Sequence, residues 1–150
     1  MQRVLVAEDD EPVARMLAAV LEYLGYEILV VASYERAVKV VSSFRPWVVL
    51  VGLDGRGDFA PGWRAATVLT RIAPGACLIM VATSDRAVEE VGVTPRGRLF
   101  VAALRKPFSV SQLLDQLESV GAGSRDGADS AVTEGGDAGS IPSPGCATAP

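Results

Sequence analysis

The sequence predicts an α/β fold in which helices cover both faces of a doubly wound, five-stranded parallel sheet. Over roughly the first 120 of the 150 residues, short apolar runs alternate five times with segments whose apolar residues recur at helical spacing. Continuous apolar runs are typical of strands that are covered on both faces. Strands that alternate with helices indicate parallel β–α units, and we expect strand order 2-1-3-4-5 in a three-layer sandwich.

The first two units have clear helix boundaries. The strand "RVLVA" precedes "EDDEP", where an aspartate can cap the free N–H groups of a helix and Pro12 suits its first turn. Apolar residues then recur at helical spacing until Gly25, which ends the helix. A second strand, "EILVVA", leads to Ser33, a candidate N-cap for a helix that extends to about Phe44.

Three further units follow in the same order. "WVVLVGL" and "ACLIMVA" are predicted as the third and fourth strands, with a helix from Trp63 to Ile72 between them. "SDRAVEEV" predicts a short helix, and "LFVAAL" predicts the fifth strand. The last helix begins at "SVSQLLDQLESV", where Ser109 and Gln112 have the spacing of a capping box.

Residues 121–150 differ in composition from the rest of the chain. Gly, Ser, Ala, Asp and Pro dominate, and large apolar residues are almost absent. Such a segment buries too little surface to offset its chain entropy. The sequence therefore predicts one domain over residues 1–120 and a disordered tail over residues 121–150, with a segment that folds on a partner as the alternative.

Composition excludes several classes of function. The chain has no histidine, which excludes histidine catalysis and histidine metal ligands. Its net charge of −4, without a basic block, argues against direct nucleic-acid binding. No apolar run reaches the roughly 18 residues of a membrane helix and no signal peptide is recognisable, so we expect no membrane partner and a cytoplasmic protein. Because no nucleophile elbow or phosphate-binding glycine loop is present, we do not expect an enzyme.

Polar residues at three predicted strand ends mark a candidate site. The acids of "EDD" follow strand one, the stretch 52–54 follows strand three, and Lys106 follows strand five. In a doubly wound sheet, ligands bind beyond the carboxyl ends of the strands, at the switch point. Lysine is rare in this chain, with two against twelve arginines, and its compact ammonium suits a small anion differently from a guanidinium.

With these residues the sequence resembles the receiver domains of bacterial two-component response regulators. The resemblance covers residues 1 to about 120 and rests on "VLVAEDD", the "GY" after the first helix, "RPWVVLVGL" and "ALRKPFS". It implies a flavodoxin-like fold and a role in phosphorelay signal transduction.

The resemblance also implies a site. In that family an acidic pair after strand one holds Mg²⁺, and an aspartate at the end of strand three accepts a phosphoryl group. A Thr or Ser after strand four and a lysine after strand five contact the phosphoryl oxygens. By resemblance Glu8 and Asp9 are the acidic pair, although they could instead only cap the first helix. Lys106 is the family lysine by position, and we expect its present role to be structural, as a salt bridge to one of these acids.

Three residues depart from the family pattern. A gap-free alignment places Gly52 at the phosphoacceptor position, and glycine has no side chain to phosphorylate. Ala82 stands where the family has Thr or Ser, and Ala103 replaces the strand-five aromatic residue. The resemblance therefore implies a degenerate receiver, or pseudo-receiver, without catalytic residues, which requires no cofactor and binds Mg²⁺ only weakly.

An alternative alignment restores an acceptor. Asp54 lies two residues past Gly52 and therefore on the same face of an extended strand, and Thr83 follows Ala82. With a two-residue insertion, Asp54 becomes the acceptor and a metal ligand, and Thr83 becomes the phosphate contact. Two strand residues, however, move a carboxylate by roughly 6–7 Å, which is more than the near-ideal geometry of Mg²⁺ tolerates.

We therefore expect a stand-alone, phosphorylation-independent signalling protein that acts through protein–protein interaction. Its partner would be a histidine kinase or an output protein, with a homodimer as a further option. We expect residues 85–91 and 109–119 to form the output surface. The alternatives are a phosphoacceptor receiver that uses Asp54 and a small-molecule sensor that uses the acidic crevice.

Overall fold

The computed structural model describes residues 2–53, 59–83 and 100–129, with side chains described as far as residue 120. These residues form five parallel strands in the order β2-β1-β3-β4-β5. The strands are β1 (Arg3–Ala7), β2 (Glu27–Val31), β3 (Val48–Gly52), β4 (Cys77–Ala82) and β5 (Ala102–Arg105). The described helices are α1 (Glu11–Tyr23), α2 (Tyr34–Phe44), α3 (Ala60–Ile72) and α4 (Val110–Asp129).

The predicted fold class and strand order are confirmed. All four strand pairs are parallel, and the order reverses direction at β1. The fifth strand begins at Ala102, later than the apolar run predicted, although Phe100 ahead of it is buried. The predicted short helix at residues 85–91 lies outside the described residues.

The last helix continues past residue 120. Helix α4 ends at Asp129, so residues 121–129, which the composition assigned to the tail, are helical. Once a helix has formed, each added residue gains a hydrogen bond, and propagation can therefore continue past the last apolar contact. The remainder of the predicted tail, 130–150, lies outside the described residues.

The predicted helix caps are present. The Asp10 carboxylate accepts a hydrogen bond from the Val13 N–H at 3.4 Å, and the Ser33 hydroxyl accepts one from the Arg36 N–H at 3.2 Å. At the start of α4, Ser109 and Gln112 exchange hydrogen bonds of 3.1 and 2.8 Å between side chain and backbone, which completes a capping box.

Replacing Ser33 by alanine should lower the free energy of unfolding by about 1 kcal/mol, because the first turn of α2 loses a hydrogen-bond acceptor. The measurement is urea unfolding followed by circular dichroism. Ser43→Ala is the matched control, since the Ser43 hydroxyl only donates to the Val40 carbonyl near the exposed end of the same helix. Equal losses in both variants would contradict the capping role.

Two apolar layers hold the helices against the sheet. One layer lies between the sheet and the helices α1 and α4, and the other lies between the sheet and the helices α2 and α3. Fully buried members of the first layer are Val4, Val6, Leu17, Leu21, Leu50, Ile79, Leu113 and Leu117. Members of the second include Leu5, Val41, Val49, Trp63, Leu69, Leu78 and Met80. Because consecutive strand residues alternate between the layers, the central strands are apolar at every position.

Strand register brings the three marked strand ends to one edge of the sheet. Ala7 pairs with Val51, and Gly52 pairs with Val81. Ala82 pairs with Arg105. The residues that follow β1, β3 and β5 therefore meet at the carboxyl edge, where the sequence predicted the site.

Candidate functional site at the carboxyl edge of the sheet

Glu8 and Lys106 meet at the carboxyl edge as a buried ion pair. Glu8 follows β1 and Lys106 follows β5, and the Lys106 ammonium nitrogen lies 3.3 Å from Glu8 Oε1. The side chains are 2% and 12% exposed, respectively, so water screens this pair far less than a surface salt bridge. The predicted salt bridge of Lys106 to one of the two acids is therefore present, and its partner is Glu8.

The second carboxylate oxygen of Glu8 is held by the backbone. Oε2 accepts a hydrogen bond from the Asp10 N–H at 3.0 Å. Oε1 has no hydrogen bond of good geometry, so its contact with Lys106 is mainly electrostatic. Burial raises the pKa of Glu8 above its usual value, although the Asp10 N–H and the Lys106 ammonium act in the opposite direction. Desolvation is therefore the dominant influence on this carboxylate.

Gly52 lies directly beneath the Glu8 carboxylate. A methyl group added at Gly52 would lie 2.8 Å from Glu8 Cδ and 3.0 Å from Oε2, and closer still to Oε1. The three nearest heavy atoms all belong to Glu8. The space that a side chain at the end of β3 would fill is thus taken by the side chain that follows β1.

The neighbouring strand ends carry the other predicted positions. Ala82 is the last residue of β4, is fully buried, and accepts a hydrogen bond at its carbonyl oxygen from the Lys106 N–H at 2.8 Å. Its methyl group has no atom that can hydrogen-bond an anion. Thr83 follows and is exposed. Ala103 pairs with Met80 and packs against the α2–α3 layer.

Tyr34 belongs to this edge but was not predicted from the sequence. It is the first residue of α2, and its hydroxyl donates a hydrogen bond to the Gly52 carbonyl. Gly62 on α3 permits this position, since an added methyl group there would lie 3.0 Å from the Tyr34 hydroxyl and closer to Leu53. In the sequence, the only sign of this contact is a tyrosine that follows β2. Its proximity to β3 becomes apparent only from the strand order, in which β1 lies between β2 and β3.

A small cavity opens beside these residues. Its volume is about 190 Å³. The cavity is lined by Ala7, Glu8, Asp9, Ala32, Ser33, Tyr34 and Gly52. Pockets that bind drug-sized ligands have roughly 300–1,000 Å³, so this cavity is smaller than such a pocket.

Few oxygen ligands for a divalent cation come together among the described residues at this edge. Asp9 is exposed, Glu8 is already engaged by Lys106 and the Asp10 N–H, and Gly52 adds no oxygen. Across residues 2–53, 59–83 and 100–120, no group of three or more metal-ligating side chains comes together. Mg²⁺ requires several oxygens in near-octahedral geometry. Asp54, the predicted alternative ligand and acceptor, lies outside the described residues.

Comparison with known proteins adds a family match and several relatives. Residues 3–120 match the family model described as flagellar regulatory protein FleQ. The chain is 29% identical over 119 residues to the phosphate regulon transcriptional regulatory protein PhoB of Klebsiella pneumoniae, covering 79% of this chain and 51% of PhoB. It thus spans about half the length of that curated relative.

Solved structures share the fold. A CheY-like response regulator receiver domain from Methanospirillum hungatei is 20% identical with a TM-score of 0.68, covering 79% of this chain and 92% of that one. The response regulator TrrA of Thermotoga maritima, solved in complex with Mg²⁺ and BeF, has the same identity and TM-score, covering 79% of this chain and 98% of that one. At such identity these structures show the fold alone. Among the described helices, none has the length and apolar character needed to cross a membrane.

Proposed function

Because this chain belongs to the receiver-domain family of response regulators, and over residues 3–120 to the family described as flagellar regulatory protein FleQ, we propose that it signals without accepting a phosphoryl group at the end of β3. In this proposal the receiver surface binds a partner protein, and the conformation that binds does not depend on phosphorylation.

One observation carries the proposal. The residue at the end of β3 is Gly52, and the volume above it is filled by the Glu8 carboxylate. Phosphoryl transfer needs a nucleophile there, with positive charge arranged around the transferring group. At this edge the Lys106 ammonium is already neutralised by Glu8, and Ala82 offers no hydroxyl.

The proposed partner is a histidine kinase or an output protein, and α4 is the described part of the proposed contact surface. Val110 at its start is 47% exposed, and Asp115 and Glu118 are also exposed along the helix. The exposed acidic residues along this helix favour a partner surface that carries basic residues. A second copy of this chain is the alternative occupant, and sedimentation of the free protein distinguishes the two.

Incubation with Mg²⁺ and acetyl phosphate should leave the intact mass of the protein unchanged. The reason is that no carboxylate stands at Gly52, and a group two residues along an extended strand is displaced by roughly 6–7 Å. The measurement is intact-protein mass spectrometry at acid pH, where acyl phosphates survive.

Asp54→Ala serves as the control in that experiment. A base-labile adduct on the unmodified chain that disappears in Asp54→Ala would replace the proposal by the phosphoacceptor alternative. An adduct that persists in Asp54→Ala would place the acceptor at another residue and also contradict the proposal as stated.

We further propose that no cofactor is required and that Mg²⁺ binds only weakly, with a dissociation constant of about 1 mM or more. The described edge offers the exposed carboxylate of Asp9 and a Glu8 carboxylate that a cation would have to take from Lys106. Calorimetric titration with MgCl₂ measures this directly. A stoichiometric micromolar site that is lost in Asp54→Ala would contradict it.

The small-molecule sensor has less support than the signalling module. Its candidate site is the cavity of about 190 Å³ beside Asp9, Ser33 and Tyr34. That volume is below the range of pockets for drug-sized ligands, so the cavity argues against an organic ligand of that size at this edge.

A further inference from the structure

Tyr34 connects three elements that meet near the carboxyl edge of the sheet. It is the first residue of α2, and its hydroxyl donates a hydrogen bond to the carbonyl of Gly52 at the end of β3. A methyl group added at Gly62 on α3 would lie 3.0 Å from the Tyr34 hydroxyl oxygen and 3.4 Å from Cζ of its ring. The ring of this residue therefore lies against α3, while its hydroxyl reaches β3.

The Gly52 carbonyl lies just past the end of the pairing between β1 and β3. That pairing ends at Ala7 and Val51, one residue before Gly52. The backbone N–H of Glu8, which follows Ala7, donates to β2 instead, at 3.1 Å. Gly52 is buried, and a buried carbonyl without a partner costs about as much free energy as a lost hydrogen bond. The Tyr34 hydroxyl thus supplies a donor where the pairing with β1 has ended.

Backbone hydrogen bonds flank both contacts of Tyr34. Leu53, which follows Gly52, donates its N–H to the Val81 carbonyl at 3.0 Å. Trp63, which follows Gly62, donates its N–H to the Phe59 carbonyl, also at 3.0 Å. Leu53 and Trp63 are 1% and 4% exposed, and both belong to the α2–α3 layer against which Tyr34 packs. These two N–H groups therefore report on the end of β3 and on the start of α3.

We propose that Tyr34 is a positioning residue for the carboxyl edge, whose hydroxyl holds the end of β3 and whose ring holds the start of α3. Since Gly52 lies beneath the Glu8 carboxylate, the same hydrogen bond fixes the floor of the candidate site from α2. The inference goes beyond the proposed function, because it does not depend on whether any residue accepts a phosphoryl group.

The test is amide hydrogen exchange of the full chain, followed by NMR. Tyr34→Phe keeps the ring and removes the hydroxyl, so the Gly52 carbonyl loses its donor only while the end of β3 is closed. Exchange of the Leu53 N–H should become about tenfold faster, which corresponds to about 1.4 kcal/mol in local opening. The matched reporter is the Lys106 N–H, which donates to the Ala82 carbonyl at 2.8 Å at the end of β5. Its exchange should change less than about twofold.

A second variant tests the contribution of the ring. Tyr34→Ala also removes the aromatic surface beside Gly62, so the Trp63 N–H should exchange at least about threefold faster than in Tyr34→Phe. Tyr23→Phe is the control for removal of a tyrosine hydroxyl, since Tyr23 is 89% exposed at the end of α1. It should leave the exchange of the Leu53, Trp63 and Lys106 N–H groups unchanged.

Each outcome decides one part of the inference. Faster exchange at Leu53 in Tyr34→Phe, with Lys106 unchanged, supports the role of the hydroxyl. Unchanged exchange at Leu53 overturns it, because the end of β3 would then be held without the hydrogen bond. Equal acceleration at Leu53 and Lys106 also overturns it, because Tyr34 would then stabilise the fold as a whole. Equal exchange at Trp63 in the Tyr34→Ala and Tyr34→Phe variants would show that the ring does not hold the start of α3.

Discussion

Replacing Lys106 by methionine should lower the free energy of unfolding by about 3 kcal/mol at neutral pH. Methionine keeps most of the apolar stem and removes the ammonium, so the 2%-exposed Glu8 carboxylate loses its counter-charge. Burial already raises the pKa of Glu8, and Lys106 is one of the two groups that oppose this rise. We expect a loss of free energy of unfolding at the lower end of the range for broken buried ion pairs, because Glu8 can take up a proton.

The destabilisation caused by Lys106→Met should be smaller at low pH than at neutral pH. A carboxyl whose folded pKa lies above its unfolded value stabilises the fold when protonated, and that stability is lost as pH rises through the folded pKa. Lys106→Met raises the Glu8 pKa further, so its destabilisation should be small near pH 4.5, the usual value for Glu8, and should grow to a plateau as pH rises. Urea unfolding across this range, compared with the wild type at each pH, provides the measurement.

Two controls isolate the ion pair. Lys39→Met removes the only other lysine of the chain, which is exposed on α2, and should change stability little at any pH. Among the described residues, Glu8→Gln/Lys106→Met carries no buried charge at this edge, and its own free energy of unfolding should lack the change with pH that is attributed to Glu8. A Lys106→Met penalty that is the same at all pH values would mean that the loss does not come from the unpaired Glu8 carboxylate.

Replacing Trp63 by alanine should have a comparable or larger effect, with a loss of about 3–5 kcal/mol. Trp63 is 4% exposed on α3 and packs edge to face against Phe100, with ring centroids 5.2 Å apart. Its removal leaves a large cavity between α3 and the sheet, which rigid neighbouring elements fill only in part. Circular dichroism in urea is the suitable measurement, because the substitution also removes a fluorophore.

The second tryptophan supplies the comparison. Trp47 stacks on Tyr26 with centroids 5.8 Å apart at the opposite edge of the sheet, and it is only partly buried. Trp47→Ala should therefore cost less, about 1–2 kcal/mol. Losses of similar size in both variants would show that α3 is not held mainly by the Trp63 contact.

The structure brings four of the predicted site residues to one edge of the sheet, and the roles of these residues remain predictions. Glu8, Gly52, Ala82 and Lys106 lie together, because parallel strands present their carboxyl ends at one edge. Asp9 points to an exposed position instead of sharing the buried one of Glu8. Asp54 lies outside the described residues, and the Asp54→Ala variant tests its roles as metal ligand and phosphoacceptor.

By itself, the sequence determined the kinds of elements and their order. Apolar runs, helical spacing and cap residues such as Ser33 act over a few neighbouring residues, so they can be read without knowing the fold. Five alternating units then leave few topologies, because crossovers between parallel strands have a preferred hand. Composition describes a segment but not the helix that propagates into it, and the last helix therefore extends past residue 120 to Asp129.

Only the tertiary structure decided what each residue at the carboxyl edge contacts. Glu8 and Gly52 are 44 positions apart in the sequence, and the contact between the Glu8 carboxylate and Gly52 appears only when β1 and β3 pair in register. The choice of Glu8 over Asp9 as the partner of Lys106 depends on which side chain the strand directs inward, and the Tyr34 hydrogen bond to Gly52 depends on strand order. These contacts are set by distances of about 3 Å between distant parts of the chain, a scale that hydrophobic periodicity does not encode.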